Sequence, residues 1–190
     1  MGVAIGIPTA TVDLPKTRAA LDYAAKVHEG QLRAVDGAPF VAHSCEVAAL
    51  LHRAGAPDHL IAAGALHDVI EKTPVTVFDL RRRFGSEIAT LVLAVSERTH
   101  RASYAQRKAA LRAQVTDAGE GALMIFAADK ISKARELRAE RPSFSFHTRR
   151  DRSRRLRHYR RSYELLRDRL PHSCLVEELA AALSELAHSR

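Results

Sequence analysis

Two stretches of this chain are apolar at helical spacing, and each runs into an acid. DHLIAAGALHDVIEK (58–72) stays apolar until His67 and Asp68, and ALMIFAADKISKARELRAE (122–140) carries Ala122, Ile125 and Phe126 on a stripe that leads into Asp129. A carboxylate withdrawn from water without compensation costs several kcal/mol or more. Any fold that buries both stripes must therefore supply a cation to each acid, as an ion partner or a metal.

The rest of the pattern is helical throughout. Leu21, Ala24, Ala25 and His28 recur at helical spacing after Pro15, and Gly30 closes that segment. A polar loop through Asp36, Gly37 and Pro39 precedes a helix expected from about Ser44 to Ala54, with Gly55 as its C-terminal cap. Thr76 with Asp79, and Ser103 with Gln106, have capping-box spacing, and Gly85 is expected to end the helix that Thr76 opens. Leu156, Tyr159, Tyr163, Leu166 and Leu170 space as a buried seam before Pro171, and Leu175, Val176, Leu179, Leu183 and Leu186 mark a last helix. No alternating strand pattern and no internal repeat occurs, so the expected fold is an all-α, single-domain bundle of eight or nine helices. With 190 residues, 46% of them hydrophobic, one core is the expectation. Residues 1–15 read as a loose tail and 16–190 as the domain, with helices in 151–190 packing on it.

Composition narrows the function classes. Cys45 and Cys174 lack CxxC spacing, so neither a disulfide framework nor a thiolate zinc site is expected, only two reduced, partly buried thiols. No apolar run approaches the roughly 18 residues of a membrane helix, and a cytoplasmic protein without a membrane partner is expected. A formal net charge of +8 favours anionic partners.

His67 and Asp68 are adjacent, and Glu71 follows His67 by one helical turn, so three polar groups are expected to converge. His43 sits just before its helix, after the short apolar run Phe40, Val41 and Ala42, and hence beside the core. Two imidazoles and two carboxylates form a nitrogen and oxygen donor set that suits a divalent ion such as Mn, Fe, Zn or Mg. Four protein ligands leave positions open for water or a substrate oxygen, which implies catalysis.

The order His43, His67–Asp68, Asp129 resembles the H…HD…D pattern of the HD phosphohydrolase superfamily. The flanking segments HEGQLRAVDGAPFVAHS, AAGALHDVIEKT, FGSEI and FAADKISKARELR further resemble the hydrolase domain of the Rel/SpoT stringent-response enzymes and the small alarmone hydrolases, over about residues 17 to 140. The resemblance implies an all-α fold, a Mn ion, and removal of the 3′-pyrophosphate from (p)ppGpp. It makes His43, His67, Asp68 and Asp129 the metal ligands and Glu71 the first acid of a catalytic pair, with Lys72 in the place of the second. Arg33 matches an arginine that packs on the nucleotide base. Lys133 stands where the family usually has Asn.

Both departures introduce a cation. Lys72 cannot serve as a carboxylate base at neutral pH, and it could neutralise phosphate, as could Lys130, Lys133 and Arg135. Alternatively Lys72 pairs with Asp68 or ends its helix in solvent. The substrate could therefore be another nucleotide, such as a nucleoside monophosphate or NADPH, or the chain could be a catalytically weakened nucleotide sensor. A homo-oligomer is left open. The arginine run Arg149–Arg161 lacks interleaved aromatics for base stacking and reads as a solvated helix face more than a nucleic-acid surface, with Arg141 and Arg149 as alternative borders of the cleft. His28 reads as structural.

Overall fold

The structure, a computed structural model, describes residues 14–98, 103–140 and 146–188. Among them are nine helices: α1 (Pro15–Val27), α2 (Val41–Arg53), α3 (Asp58–Ala65), α4 (Val69–Lys72), α5 (Val77–Val95), α6 (Tyr104–Ala118), α7 (Glu120–Ala139), α8 (Phe146–Arg169) and α9 (Cys174–His188). The all-α architecture follows the sequence pattern. The described residues form no strand, only an isolated bridge between Leu32 and Pro39 that ties the loop before α2.

The centre of the bundle is α7, which packs against α2, α3, α5, α6, α8 and α9. Ala122, Ile125, Ala127, Ala128, Ile131 and Ala134 are wholly buried, so this helix is enclosed on all sides, as an apolar helix inside a larger domain must be. Asp129 is enclosed with them. Against α7 run α2 and α3, which approach each other closely at Gly64. A Cβ built there would lie 2.2 Å from Leu51 Cδ1 and 3.4 Å from Val47 Cγ1, both in fully buried side chains. On the far side, Ala134 and Leu137 of α7, Tyr159 of α8, and Ala182 and Leu186 of α9 form a second small core.

Local chemistry explains the element ends. α1 opens with Pro15 in its first turn, and Asp58 from α3 takes up the free backbone N–H groups: Lys16 N and Thr17 N donate to its carboxylate at 3.0 and 2.9 Å. Both expected capping boxes form, Thr76 with Asp79 and Ser103 with Gln106. Gly85 breaks α5 at a φ of 86°, a conformation that a side chain would resist, so the chain turns there and resumes as helix.

Three expectations are corrected. α2 begins at Val41, not Ser44, because the amides of Ala42 and His43 find the Pro39 and Phe40 carbonyls at 3.0 Å; His43 thus sits inside the first turn. The 58–72 stretch is not one helix. Leu66 and Asp68 have ψ near zero, so the chain makes a tight turn through 66–68 and α4 restarts in a new direction. That turn presents His67 and Asp68 side by side, and Glu71 follows on α4 at the same cleft. Finally, Cys45 is half-buried, as expected, but Cys174 is exposed.

The Gly64 contact gives a direct stability test. Gly64→Ala should lower the free energy of unfolding by about 1–3 kcal/mol through overpacking against Leu51, seen as a lower urea midpoint with an unchanged slope. An unchanged midpoint would mean that α2 and α3 pack less tightly than described.

Candidate metal centre and cleft

His43 from the first turn of α2, His67 and Asp68 from the turn after α3, and Asp129 from the middle of α7 meet in one place. All four are at least nine-tenths buried. The facing nitrogens His43 Nε2 and His67 Nε2 are 3.1 Å apart. Asp129 Oδ1 lies 3.3 Å from the first and 3.5 Å from the second. His43, His67 and Asp129 thus present ligand atoms all within 4.8 Å of one another. Asp68 stands beside them, with Oδ1 3.5 Å from His67 Nε2 and Oδ2 3.8 Å from His43 Nε2.

Hydrogen bonds on the outer side decide which atoms face inward. The Ser132 hydroxyl donates to Glu46 Oε2 at 2.6 Å, so its oxygen is left to accept, and His43 Nδ1–H donates to it at 2.8 Å. Likewise His67 Nδ1–H donates to the Gly64 carbonyl at 2.8 Å. With both Nδ1 atoms bonded outward, the two Nε2 atoms are turned toward each other, where each ring could meet a cation. Asp68 Oδ2 and Asp129 Oδ1 are also buried with no hydrogen-bond partner. Two imidazole nitrogens and two carboxylate oxygens converge on one space beside the Lys133 ammonium, a donor set that suits a cation. Separations near 3 Å are those of donors about 2.1 Å from one ion and set at right angles. The residues fit a divalent metal.

The charges respond to the same surplus of acceptors. Burial would depress the His43 imidazole, but Asp129 and Glu136 overcome it and raise its pKa to about 9. Burial opposes ionisation of Asp68 and Asp129, yet both are held well below the usual carboxylate range, Asp68 chiefly by Lys133 and Asp129 by Lys130 and then Lys133.

The expected site residues divide. Lys130 is buried, ion-paired with Asp129 Oδ2, and lies 4.5 Å over the Phe126 ring. Lys133 Nζ sits 3.3 Å from Asp129 Oδ1 and 3.6 Å from Asp68 Oδ2, on the unpartnered oxygens themselves. Arg135 is not in the cleft. It binds Glu46 at 3.0 Å and also Glu178, so it holds the acid that orients Ser132 and through it His43. Arg33 is paired with Asp36 and, at 3.7 Å, with Glu136, also outside the cleft. Lys72 is exposed at the rim and makes no ion pair with Asp68 among the described residues, so its solvent-facing reading is the one the geometry supports. His28 is buried and held by Gln31 at 2.9 Å, in a structural setting.

A cleft of about 250 Å³ opens onto the cluster. Glu71 stands on its rim, its Oε1 accepting from the Glu97 backbone N–H at 2.7 Å, and crowding by protein atoms raises its pKa. Glu71 thus lines the same cleft as the cluster, close enough to Asp68 for that charge to help raise its pKa. Glu97, Tyr104, Lys108, Arg155, His158 and Tyr159 complete the walls. Of these only Tyr159 carried a sequence signal, as part of the α8 seam; Glu97 follows the end of α5, Tyr104 and Lys108 come from α6, and Arg155 and His158 from α8. Arg149 is exposed on α8 and does not line the cleft, and Arg141 lies outside the described residues.

Comparison with known proteins adds to this geometry. A family model described as HD domain matches residues 20–155. The GTP pyrophosphokinase of Myxococcus xanthus is 44% identical over 85 residues, covering 45% of this chain and 11% of that one. The bifunctional (p)ppGpp synthase/hydrolase SpoT of Escherichia coli is 38% identical over 84 residues, covering 44% and 12%. The matched segment thus spans about a tenth of the length of these curated relatives. Among solved structures, a metazoan ortholog of SpoT, described as hydrolysing ppGpp and acting in starvation responses, superposes with a TM-score of 0.76 at 25% identity, covering 89% of this chain and 94% of that one. The lmo0812 protein of Listeria monocytogenes gives a TM-score of 0.68 at 25% identity, covering 78% and 97%.

Lys133 supplies a test of the centre. Its ammonium occupies the oxygens a metal would use, so Lys133→Asn should tighten Mn²⁺ binding roughly ten- to hundredfold, about 1.4–2.7 kcal/mol, in calorimetric titration of the metal-stripped protein. Equal affinities would show that Lys133 swings clear at no cost.

Proposed function

The chain belongs to the HD-domain family, and from this we propose that it is a divalent-metal-dependent phosphohydrolase that removes the 3′-pyrophosphate from ppGpp or a closely related nucleotide. The single observation that carries the reading is the meeting of His43 Nε2, His67 Nε2, Asp68 Oδ2 and Asp129 Oδ1 in an open cleft. The activity named for the metazoan relative, whose structure matches over most of both chains, supports the substrate class. Mn²⁺ is our choice of ion from the resemblance to the Rel/SpoT hydrolases, and the mixed nitrogen and oxygen donors are compatible with it.

His43, His67, Asp68 and Asp129 would hold the ion. When bound, such an ion polarises a phosphoryl oxygen and makes water a competent nucleophile at neutral pH. Glu71 supplies the proton acceptor: its carboxylate is fixed by the Glu97 amide, faces the cleft, and has a raised pKa, which improves a carboxylate as a base near neutrality. Lys108 and Arg155 line the same cleft and offer positive charge to the phosphates, while Tyr104 and Tyr159 give it aromatic walls. Lys72 at the rim offers one more cation, in a place where it cannot act as a base.

A second reading follows from Lys133. Because its ammonium lies on two of the ligand oxygens, the chain could hold its metal weakly and act as a nucleotide sensor with little turnover.

The two readings part in one assay. Metal-stripped protein restored with Mn²⁺ should release pyrophosphate from ppGpp, in preference to orthophosphate from NADPH or nucleoside monophosphates. Asp68→Ala should abolish release, and Glu71→Gln should lower kcat by about 10²–10⁴ with unchanged circular dichroism. Metal-dependent nucleotide binding without any product would favour the sensor, and orthophosphate release would redirect the substrate assignment.

A further inference from the structure

Between α6 and α8, beside the cleft, lies a second cavity of about 100 Å³. It shares Tyr104, Lys108 and His158 with the cleft, and Arg112, Arg154, Arg157 and Arg161 complete its basic wall. At about 100 Å³ against about 250 Å³ for the cleft, it is the smaller of the two and suits a small anion.

Two buried donors in this wall lack acceptors. His158 is 4% exposed, and Arg112 Nη1 lies 3.0 Å from its Nδ1. A guanidinium can only donate, so Nδ1 accepts and the ring proton sits on Nε2. Burial, then Lys130, Lys108 and Arg112, push the His158 pKa down to about 2, so the ring is neutral and this tautomer holds. Its Nε2–H has no hydrogen-bond partner, and neither has the buried Nε–H of Arg154. Buried donors are nearly always satisfied, so two orphans in one basic wall mark a missing acceptor.

The charge agrees. Glu97 engages Lys108, and Asp151 engages Arg154 from the exposed side. Arg161 makes no ion pair among the described residues, and it depresses the pKa of Arg112 below the effect of burial, as unneutralised like charges do. Glu164 is the further acid near Arg112.

The geometry points to a second oxyanion site between α6 and α8, which takes a single phosphate group on the Arg154 and His158 N–H donors within the charge of Lys108, Arg112 and Arg161. Such a group has two sources. It is either the far phosphate of the nucleotide whose other end sits over the metal centre, which rests on the proposed hydrolysis, or the phosphate of a separate effector.

The site is tested with inorganic phosphate on the ¹⁵N-labelled full chain, following the His158 Nε2–H resonance. Saturable movement of that resonance is expected, retained in Asp68→Ala and weakened about tenfold or more in Arg154→Ala/Arg161→Ala. Arg161→Gln, at an exposed position, serves if the double variant unfolds. A resonance that stays still into tens of millimolar phosphate, that moves equally in the arginine variants, or that stops moving in Asp68→Ala would overturn the proposal. For the source, a raised KM for ppGpp with kcat held in the arginine variants identifies the substrate's own phosphate, and an unchanged KM identifies a separate anion. A chain that turns over no ppGpp still reports through His158, so failure of the hydrolase reading and failure of this site are read separately.

Discussion

Two carboxylates, Asp68 and Asp129, are held inside an apolar bundle, and the requirement that they be neutralised organises everything around them. Neither could remain ionised there alone, because desolvation opposes charge at both positions. The chain answers with two imidazoles and two lysines drawn from α2, the turn after α3, and α7. Those elements are also the ones that build the core, so the packing of α7 and the assembly of the cluster are one event. Gly64 serves both: it lets α2 and α3 close together, and its carbonyl fixes the His67 tautomer.

The outer hydrogen bonds give the cluster its direction. Arg135 steadies Glu46, Glu46 takes the Ser132 proton, Ser132 accepts from His43 Nδ1, and His43 Nε2 is thereby aimed at the centre. A residue that charge alone would assign to phosphate binding is thus part of the support for a candidate metal ligand. Lys133 has the opposite character. It sits among the ligand oxygens, so the positive charge of the protein and that of an ion are set against each other at one position.

The basic surplus of the chain is not spread evenly over its surface. Part of it lies in the walls formed by α6 and α8, where Lys108, Arg112, Arg155 and Arg161 face two adjoining cavities, one over the metal centre and one beside it. A protein whose ligands carry phosphates at more than one position would use such a pair of cavities in concert, since each phosphate needs its own desolvated donors. His158 lines both, neutral because burial and then its cationic neighbours oppose a charge on the ring.

The all-helical class, both capping boxes, the break at Gly85 and the identities of His43, His67, Asp68 and Asp129 were legible in the sequence, because each is a local signal or an acid misplaced on an apolar stripe. What the sequence could not decide was direction. The turn at 66–68 depends on how α3 and α4 dock, and it sets Glu71 on the rim of the cleft that holds the cluster. The partners of Arg33, Lys130, Lys133 and Arg135 depend on which acids the packing brings near, for a charged side chain shows no periodicity that names its mate. His158 was hidden for the same reason: inside an arginine run it reads as surface, and only the docking of α8 against α6 and α7 buries it beside unpaired donors.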